Sequence, residues 1–263
     1  MLVTCDRMIS PTKRSSIKLL AVQTTPDTLQ ILYEDNHLIV INKRCGDIVQ
    51  GDQTGDVSLD AVVKEMIRVR DRKPGNVFLG IPHRLDRPVS GIVVYARTGK
   101  ALSRMANLFK EKQVEKLYHA LVQVKPNPPR GTLTHYLTRN TRTNKSACHD
   151  REVAGSKRAV LHYRYLASSD RYHLLEIDLE TGRHHQIRAQ LAAMGWSIRG
   201  DKKYGFRRPN KDWGISLHAR KITFTHPVRK TPLEVIAPYP PGDIFDAFSG
   251  ITDQNDGSIR AGK

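Results

Sequence analysis

Apolar positions along the chain fall in short runs, alternating or continuous, separated by glycines, prolines and charged clusters. That is the pattern of strands interrupted by a few helices. Leu29-Gln30-Ile31-Leu32-Tyr33 reads as a strand, Glu34 to His37 as a turn, and the apolar run from Leu38 to Asn42 as a second, buried strand, giving a hairpin. Gly46, Gly51 and Gly55 mark a long loop. Leu59, Val62, Val63, Met66 and Ile67 recur at helical spacing with Ser58 as N-cap, and Arg70 to Gly75 follows as a basic turn. Ile92 to Ala96 reads as a buried strand. Leu102, Met105, Ala106 and Phe109 define the apolar face of a second helix, with Arg104 and Lys110 outside.

Leu117 to Val124 predicts a further strand, and Pro126 to Gly131 a break. Residues 139–158, rich in Arg139, Arg142, Lys145, Arg151, Lys157 and Arg158, are expected to loop over the surface. Strands recur at Leu161–Leu166 and Tyr172–Leu179, a helix at Gln186–Met194, and closing strands at Ile222–Phe224 and Leu233–Ile236. Many short strands without regular βα alternation argue for an α+β fold with a mainly antiparallel mixed sheet and flanking helices. Residues 28–247 are expected to form one folded unit. Residues 1–27, with Arg7, Lys13, Arg14 and Lys18, read as a basic flexible arm and residues 248–263 as a disordered tail.

Charge changes this picture more than composition does. Lys and Arg outnumber Asp and Glu by 43 to 26, a net +17, so the surface should attract polyanions: RNA, DNA or anionic membrane. Membrane is the weakest of these, since no basic amphipathic helix with a bulky apolar face is visible. Nucleic acid is favoured. No apolar run is long enough to span a bilayer and no signal-peptide pattern opens the chain, so a cytoplasmic protein and a monomer are expected. Cys5, Cys45 and Cys148 are isolated, with no CxxC pair to hold zinc.

Three segments carry candidate chemistry. In His83-Arg84-Leu85-Asp86-Arg87-Pro88-Val89-Ser90-Gly91 a lone carboxylate sits among positive charges on a loop that feeds a strand. Neighbouring cations favour its ionised form, although the residues alone favour a structural ion pair over a catalyst. In Val114 to Val122, strand alternation puts Tyr118, Ala120 and Val122 on one face and Leu117, His119 and Leu121 on the other. Tyr118 could stack on a base or fill a core, and on the residues alone the core reading is favoured. In Glu180 to Arg188, Arg183 and Arg188 carry permanent planar charge suited to phosphate or carboxylate. The adjacent His184 and His185 are expected to diverge, which makes poor metal spacing.

Taken in order, HRLDRPVSG, EKLYHALV, TGRHHQIR, GDKKYG and LHARKITFTHP resemble the RluA-type family of pseudouridine synthases, and LYEDNHLIVINK resembles that family's first hairpin. The resemblance runs from about Thr28 to Pro241. It implies a pseudouridine synthase catalytic domain over 28–247 that isomerises a uridine in ribosomal or transfer RNA, without cofactor or metal. Asp86 matches the catalytic aspartate. Tyr118 matches the tyrosine that stacks on uracil and can move a proton, and Arg188 the arginine that pairs with the aspartate. Arg84 matches a residue that can fill the gap left by the flipped nucleotide. His83, Arg87, Lys116, Arg183 and His185 are expected to hold RNA around them. The chain departs from relatives at His184, where they often carry Thr, and at Lys43-Arg44-Cys45-Gly46, where they often read Lys-Pro-x-Gly. The small N-terminal RNA-binding domain of some relatives is expected to be absent, and Asp201 is read as structural. Two other classes compete. A non-catalytic RNA-binding module would explain the charge but not the Asp–Tyr–Arg set. A hydrolytic glycosidase or nuclease would more commonly show two carboxylates or metal ligands.

Overall fold

The computed structural model describes residues 24–248 and 250. Most of the expected arm and tail therefore lie outside the described residues. Residues 24–27, assigned to the arm, are docked: Thr24 donates from its backbone N and its hydroxyl to the Asp47 carboxylate at 3.2 and 2.5 Å.

Among the described residues, ten strands form one sheet. In chain order they are β1 (Ile31–Glu34), β2 (Leu38–Lys43), β3 (Ser90–Ala96), β4 (Glu115–Val122), β5 (Arg130–Asn140), β6 (Lys145–His149), β7 (Lys157–Ser168), β8 (His173–Leu179), β9 (Leu217–Thr225) and β10 (Pro232–Ile236). Across the sheet the order is β1-β2-β3-β9-β4-β8-β7-β5-β6, with β10 also on β9. Every pairing is antiparallel except β3 with β9, which meet in parallel through only Ser90↔His218 and Gly91↔Ala219. The expected α+β class and mainly antiparallel sheet are therefore found.

Three α-helices among the described residues cover the sheet: α1 (Leu59–Arg70), α2 (Gly99–Lys110) and α3 (Gln186–Ala193). The unbroken apolar runs of β2 and β3 have a direct cause, since a strand covered on both faces need not alternate. Ile39, Ile41, Val93 and Tyr95 meet Leu59, Val63 and Ile67 of α1. Leu38, Val40, Ile92 and Val94 meet Ala101 and Met105 of α2. A third cluster lies under α3, where Ile187 and Leu191 pack on Ala120, Val122, Leu161 and Trp196. Leu85 packs against all three clusters.

The structure corrects several sequence expectations. Residues 139–158 are not one long loop: β5 runs to Asn140, and β6 and the start of β7 lie in the same stretch. Leu133, His135 and Leu137 are the buried positions of β5, so a histidine occupies the middle of its inward-facing row and hides the alternation. Ala106, assigned to the apolar face of α2, is exposed. Ser58 precedes α1 but makes no side-chain cap; its hydroxyl donates to Asp60 at 2.5 Å. Thr98 caps α2 instead, accepting from the Ala101 N–H at 3.1 Å.

Gly91 is the tightest point of the β3–β9 junction. Its φ is +108°, and a Cβ there would overlap the backbone of Ala219. Gly91→Ala should destabilise the protein by at least about 2 kcal/mol, combining backbone strain with overpacking against atoms that cannot yield. Urea unfolding checks this; a midpoint equal to wild type would show that the junction tolerates separation.

Candidate active site

The end of the loop between α1 and β3 is fixed at several residues from His83 to Pro88. Leu85 anchors it in the core. The Val94 N–H donates to His83 Nε2 at 2.9 Å, the Ile215 N–H to the Pro88 carbonyl at 2.9 Å, and the Gly46 N–H to the Arg87 carbonyl at 2.9 Å. Lys43, with 1% of its surface exposed, donates from Nζ to the carbonyls of Arg87 and Arg44 at 3.0 and 2.9 Å. Burial pulls the Lys43 ammonium down to about 8, and nearby anions including Asp86 oppose the shift. Asp86, between these anchors, is held while its carboxylate stays partly open, with 32% of the side chain exposed.

Asp86 lies at a cavity of about 910 Å³, also lined by Arg84, Tyr118, His185 and Arg188. A space of this size suits a nucleotide-sized ligand. Arg188 projects from the first turn of α3 and is buried. Its Nη1 donates to Asp86 Oδ2 at 3.3 Å, while Nε and Nη2 bind both oxygens of Asp201 at 2.7 and 2.9 Å. The guanidinium also lies 5.1 Å from the Tyr204 ring centroid. Burial alone would lower the Arg188 pKa; the Asp201 bonds and the Asp86 charge outweigh it and hold the group more firmly protonated. Asp201 is thus the residue that aims Arg188, a bidentate geometry that fixes the fork in its plane. Asp201 and Tyr204 both belong to the GDKKYG segment, the only hint of them in the sequence.

Tyr118 stands on β4 at the cavity wall, half-buried, beside a register shift between Leu117 and Tyr118 in the β4–β9 pairing. Burial first, and then the charge of Asp86, push its phenol well above the ordinary tyrosine value. The structure thus brings Asp86, Tyr118 and Arg188 to one cavity.

The six residues expected to hold RNA separate into two groups. Arg84, Arg87 and Arg183 are exposed and Lys116 is half-buried, all at the cavity wall. Arg87 pairs with Asp56 at 2.7 Å, and Arg183 Nε donates to the Arg158 carbonyl at 3.0 Å. Lys116, its pKa lowered by burial, lies over the Phe109 ring at 5.9 Å. His83 and His185 have turned inward. His83 lines the wall, but Nε2 is committed to Val94 and the ring stacks on Phe109 at 4.8 Å. His185 is buried, with Nδ1 3.0 Å from the Tyr204 hydroxyl and Nε2 3.5 Å from Asp86 Oδ2.

His184 and His185 do not diverge as expected. Their rings stack at 3.8 Å with 26° between planes, because His185 adopts a left-handed backbone (φ 52°) ahead of α3 and so leaves regular geometry. Gln186 fixes this turn by accepting from the Arg183 N–H and the Thr181 hydroxyl at 2.9 and 2.8 Å. His184 contacts Ser146 Oγ and Asn144 Oδ1 at 2.9 and 3.1 Å, tying the turn to the β5–β6 hairpin. Among the described residues no group of three or more His, Cys, Asp and Glu could hold a metal. No helix among them is long and apolar enough to cross a membrane. Burial pushes the Cys45 thiol up to about 12 and Cys148 to about 11, which disfavours the nucleophilic thiolate.

The chain resembles known proteins in sequence and in fold. The profile described as RNA pseudouridylate synthase matches residues 37–193. Ribosomal large subunit pseudouridine synthase D of Xylella fastidiosa is 34% identical over 227 residues, which span 81% of this chain and 66% of that protein. The tRNA pseudouridine synthase C of Salmonella typhi is 33% identical over 232 residues, 80% of this chain and 85% of that protein. The solved structure of human RNA pseudouridylate synthase domain containing 4 aligns with a TM-score of 0.67 at 25% identity, covering 81% of this chain and 89% of the other. The chain belongs to the RNA pseudouridine synthase family, isomerases that convert uridine in RNA to pseudouridine.

The inward histidines give the fold an acid limit. Burial holds His83 at about 3, His185 at about 2 and His218 at about 3, against 6.5 when unfolded. As pH falls below about 6.5 the unfolded chain takes up protons that the folded chain refuses, so stability is full above that value and declines toward about 3. The urea midpoint should drop steadily from about pH 7 to about pH 4, and His185→Gln should remove about one proton from that slope. An identical slope in the variant would mean that His185 titrates normally.

Proposed function

We propose that the unit over residues 28–247 converts a specific uridine in ribosomal or transfer RNA to pseudouridine, with Asp86 as the catalytic carboxylate. The observation that carries this reading is the meeting of Asp86, Arg188 and Tyr118 at one cavity. The relatives named for ribosomal and transfer RNA support the two substrate classes.

The reaction breaks the N1–C1′ bond, turns the uracil and rejoins it through C5, with no net redox change. The nucleotide must first leave its stack, at a cost of a few kcal/mol that is least in loops and strained helices. Arg84, exposed at the cavity wall, is placed to fill the gap. Addition of the carboxylate to C1′ and abstraction of a sugar proton both require an ionised Asp86 aimed at the ribose. Arg188 supplies the aim through its bond to Oδ2, and Asp201 keeps Arg188 from swinging away.

Tyr118 provides a ring against the uracil and a hydroxyl for the proton that leaves C5. In the free protein its phenol is held protonated by burial and by Asp86. Loss of the Asp86 charge on the sugar would remove only the smaller of these two causes, since burial remains. The order of steps follows from the bonds: C5 has a proton to lose only after the uracil has rejoined through it, so sugar chemistry comes first and C5 deprotonation second.

Asp86→Asn keeps the shape and removes the charge. It should fold and bind RNA as wild type does yet release no tritium from [5-³H]uridine RNA. Wild-type turnover in this variant would sink the assignment, and a wild-type protein that bound RNA without releasing tritium would be a non-catalytic binder.

Tyr118→Phe keeps the ring and loses the base. Single-turnover rates should fall roughly 10²–10⁴-fold with RNA affinity retained. A lowered melting temperature with an unchanged rate would make Tyr118 a packing residue instead.

A further inference from the structure

Trp213 is the most exposed large hydrophobic residue among those described, at 68%. Its backbone is left-handed (φ 59°), a conformation unfavourable for a bulky side chain. Neither feature brings the fold a packing benefit. Both are imposed by anchors on either side. The Trp213 N–H donates to the Asn210 carbonyl at 3.1 Å, and the Gly214 N–H to Asp212 Oδ1 at 3.0 Å. Buried Asn210 contacts Ser216 Oγ at 3.3 Å. Gly214 is pressed so closely on Cys45 that a Cβ there would sit 2.5 Å from its sulfur. The indole is therefore carried on a tethered turn.

The location of that turn is informative. Two residues on, Ile215 donates to the carbonyl of Pro88, itself two residues from Asp86. The segment leading into the turn is Phe206-Arg207-Arg208-Pro209-Asn210-Lys211, whose three cationic side chains are all exposed. An outward aromatic ring interleaved with cations, linked through Ile215 to Pro88 in the cavity wall, has the composition of a platform for unpaired bases.

We propose that Trp213 stacks on an unpaired base flanking the target uridine, while Arg207, Arg208 and Lys211 hold the adjoining phosphates. This adds to the catalytic cavity a second point of contact for single-stranded RNA, and it rests on the reading that the chain acts on RNA. Duplex RNA, whose bases are already stacked on one another, gains nothing from the indole. The platform selects unpaired sequence next to the target and is tolerant of base identity.

The two tryptophans make the test direct. Trp196 is 6% exposed and packed edge-on against Tyr163 at 5.1 Å, so acrylamide quenching reports mainly on Trp213. A short single-stranded RNA of mixed sequence should protect wild-type fluorescence from acrylamide. Trp213→Ala should lose that protection and weaken binding of the same RNA about 5- to 150-fold, the span expected for one base–aromatic stack. Trp213→Phe should recover much of the loss, and affinity for a blunt RNA duplex should not change in either variant. All three proteins should melt alike, since the ring is exposed. Unchanged single-strand affinity in Trp213→Ala, an equal loss on the duplex, or unaltered quenching on RNA binding would each overturn the platform. Tritium release by the wild-type preparation is read separately. Protein that binds through Trp213 without releasing tritium would refute the proposed reaction and leave the platform standing. Protein that releases tritium while Trp213→Ala binds normally would refute the platform alone.

Discussion

The parallel contact of β3 with β9 is the constraint on which the rest depends. Two residue pairs join a three-stranded piece, β1-β2-β3, to the larger piece that begins at β9. Such a short ladder contributes few hydrogen bonds, so side chains must complete it. Ser90 Oγ contacts His218 Nδ1 at 2.9 Å, and Leu85 is shared among the three hydrophobic clusters. Asp86 sits at this seam, in the loop that leads into β3. Its carboxylate is partly open because the sheet halves meet there without closing over it, and it is rigid because both halves hold its loop.

Buried charge does the rest of the positioning. Lys43 binds two backbone carbonyls and Arg188 binds two carboxylates, and both are almost wholly removed from water. An isolated buried ion is very unfavourable, and deleting one partner of such a pair typically costs 3–5 kcal/mol. These groups persist because each is satisfied on more than one side. The arrangement makes the Asp86 loop costly to distort. It also makes the site asymmetric: Asp201 takes the stronger geometry on Arg188, leaving Asp86 a single longer bond to it.

Much of the fold could be read from the chain. The continuous apolar runs of β2 and β3 and the helical spacing of α1 follow simple burial rules. The β5–β6 hairpin escaped because its inward positions include His135 and Ser146, polar residues buried by specific contacts to Gln190 and to Tyr204 and His184. The stacked His184 and His185 escaped because one left-handed residue overrides the usual divergence of neighbours. For the site, the residues alone favoured an ion-pair role for Asp86 and a core role for Tyr118. Their functional assignment came from the order of five segments, a pattern that composition does not contain. Lys43 and the aiming role of Asp201 needed coordinates, since both depend on atoms far away in sequence.

The seam also ties chemistry to the order in which the chain is made. β3 ends at Ala96, yet its partner pairs are at His218 and Ala219. On the ribosome, Asp86 therefore emerges long before the strand that completes its surroundings, and contacts so distant in sequence are slow to close. A nascent chain that has exposed its basic first half carries the aspartate without Arg188, Asp201 or β9. A chain cut before these groups would keep Asp86 and much positive charge yet lack the partners that hold that carboxylate.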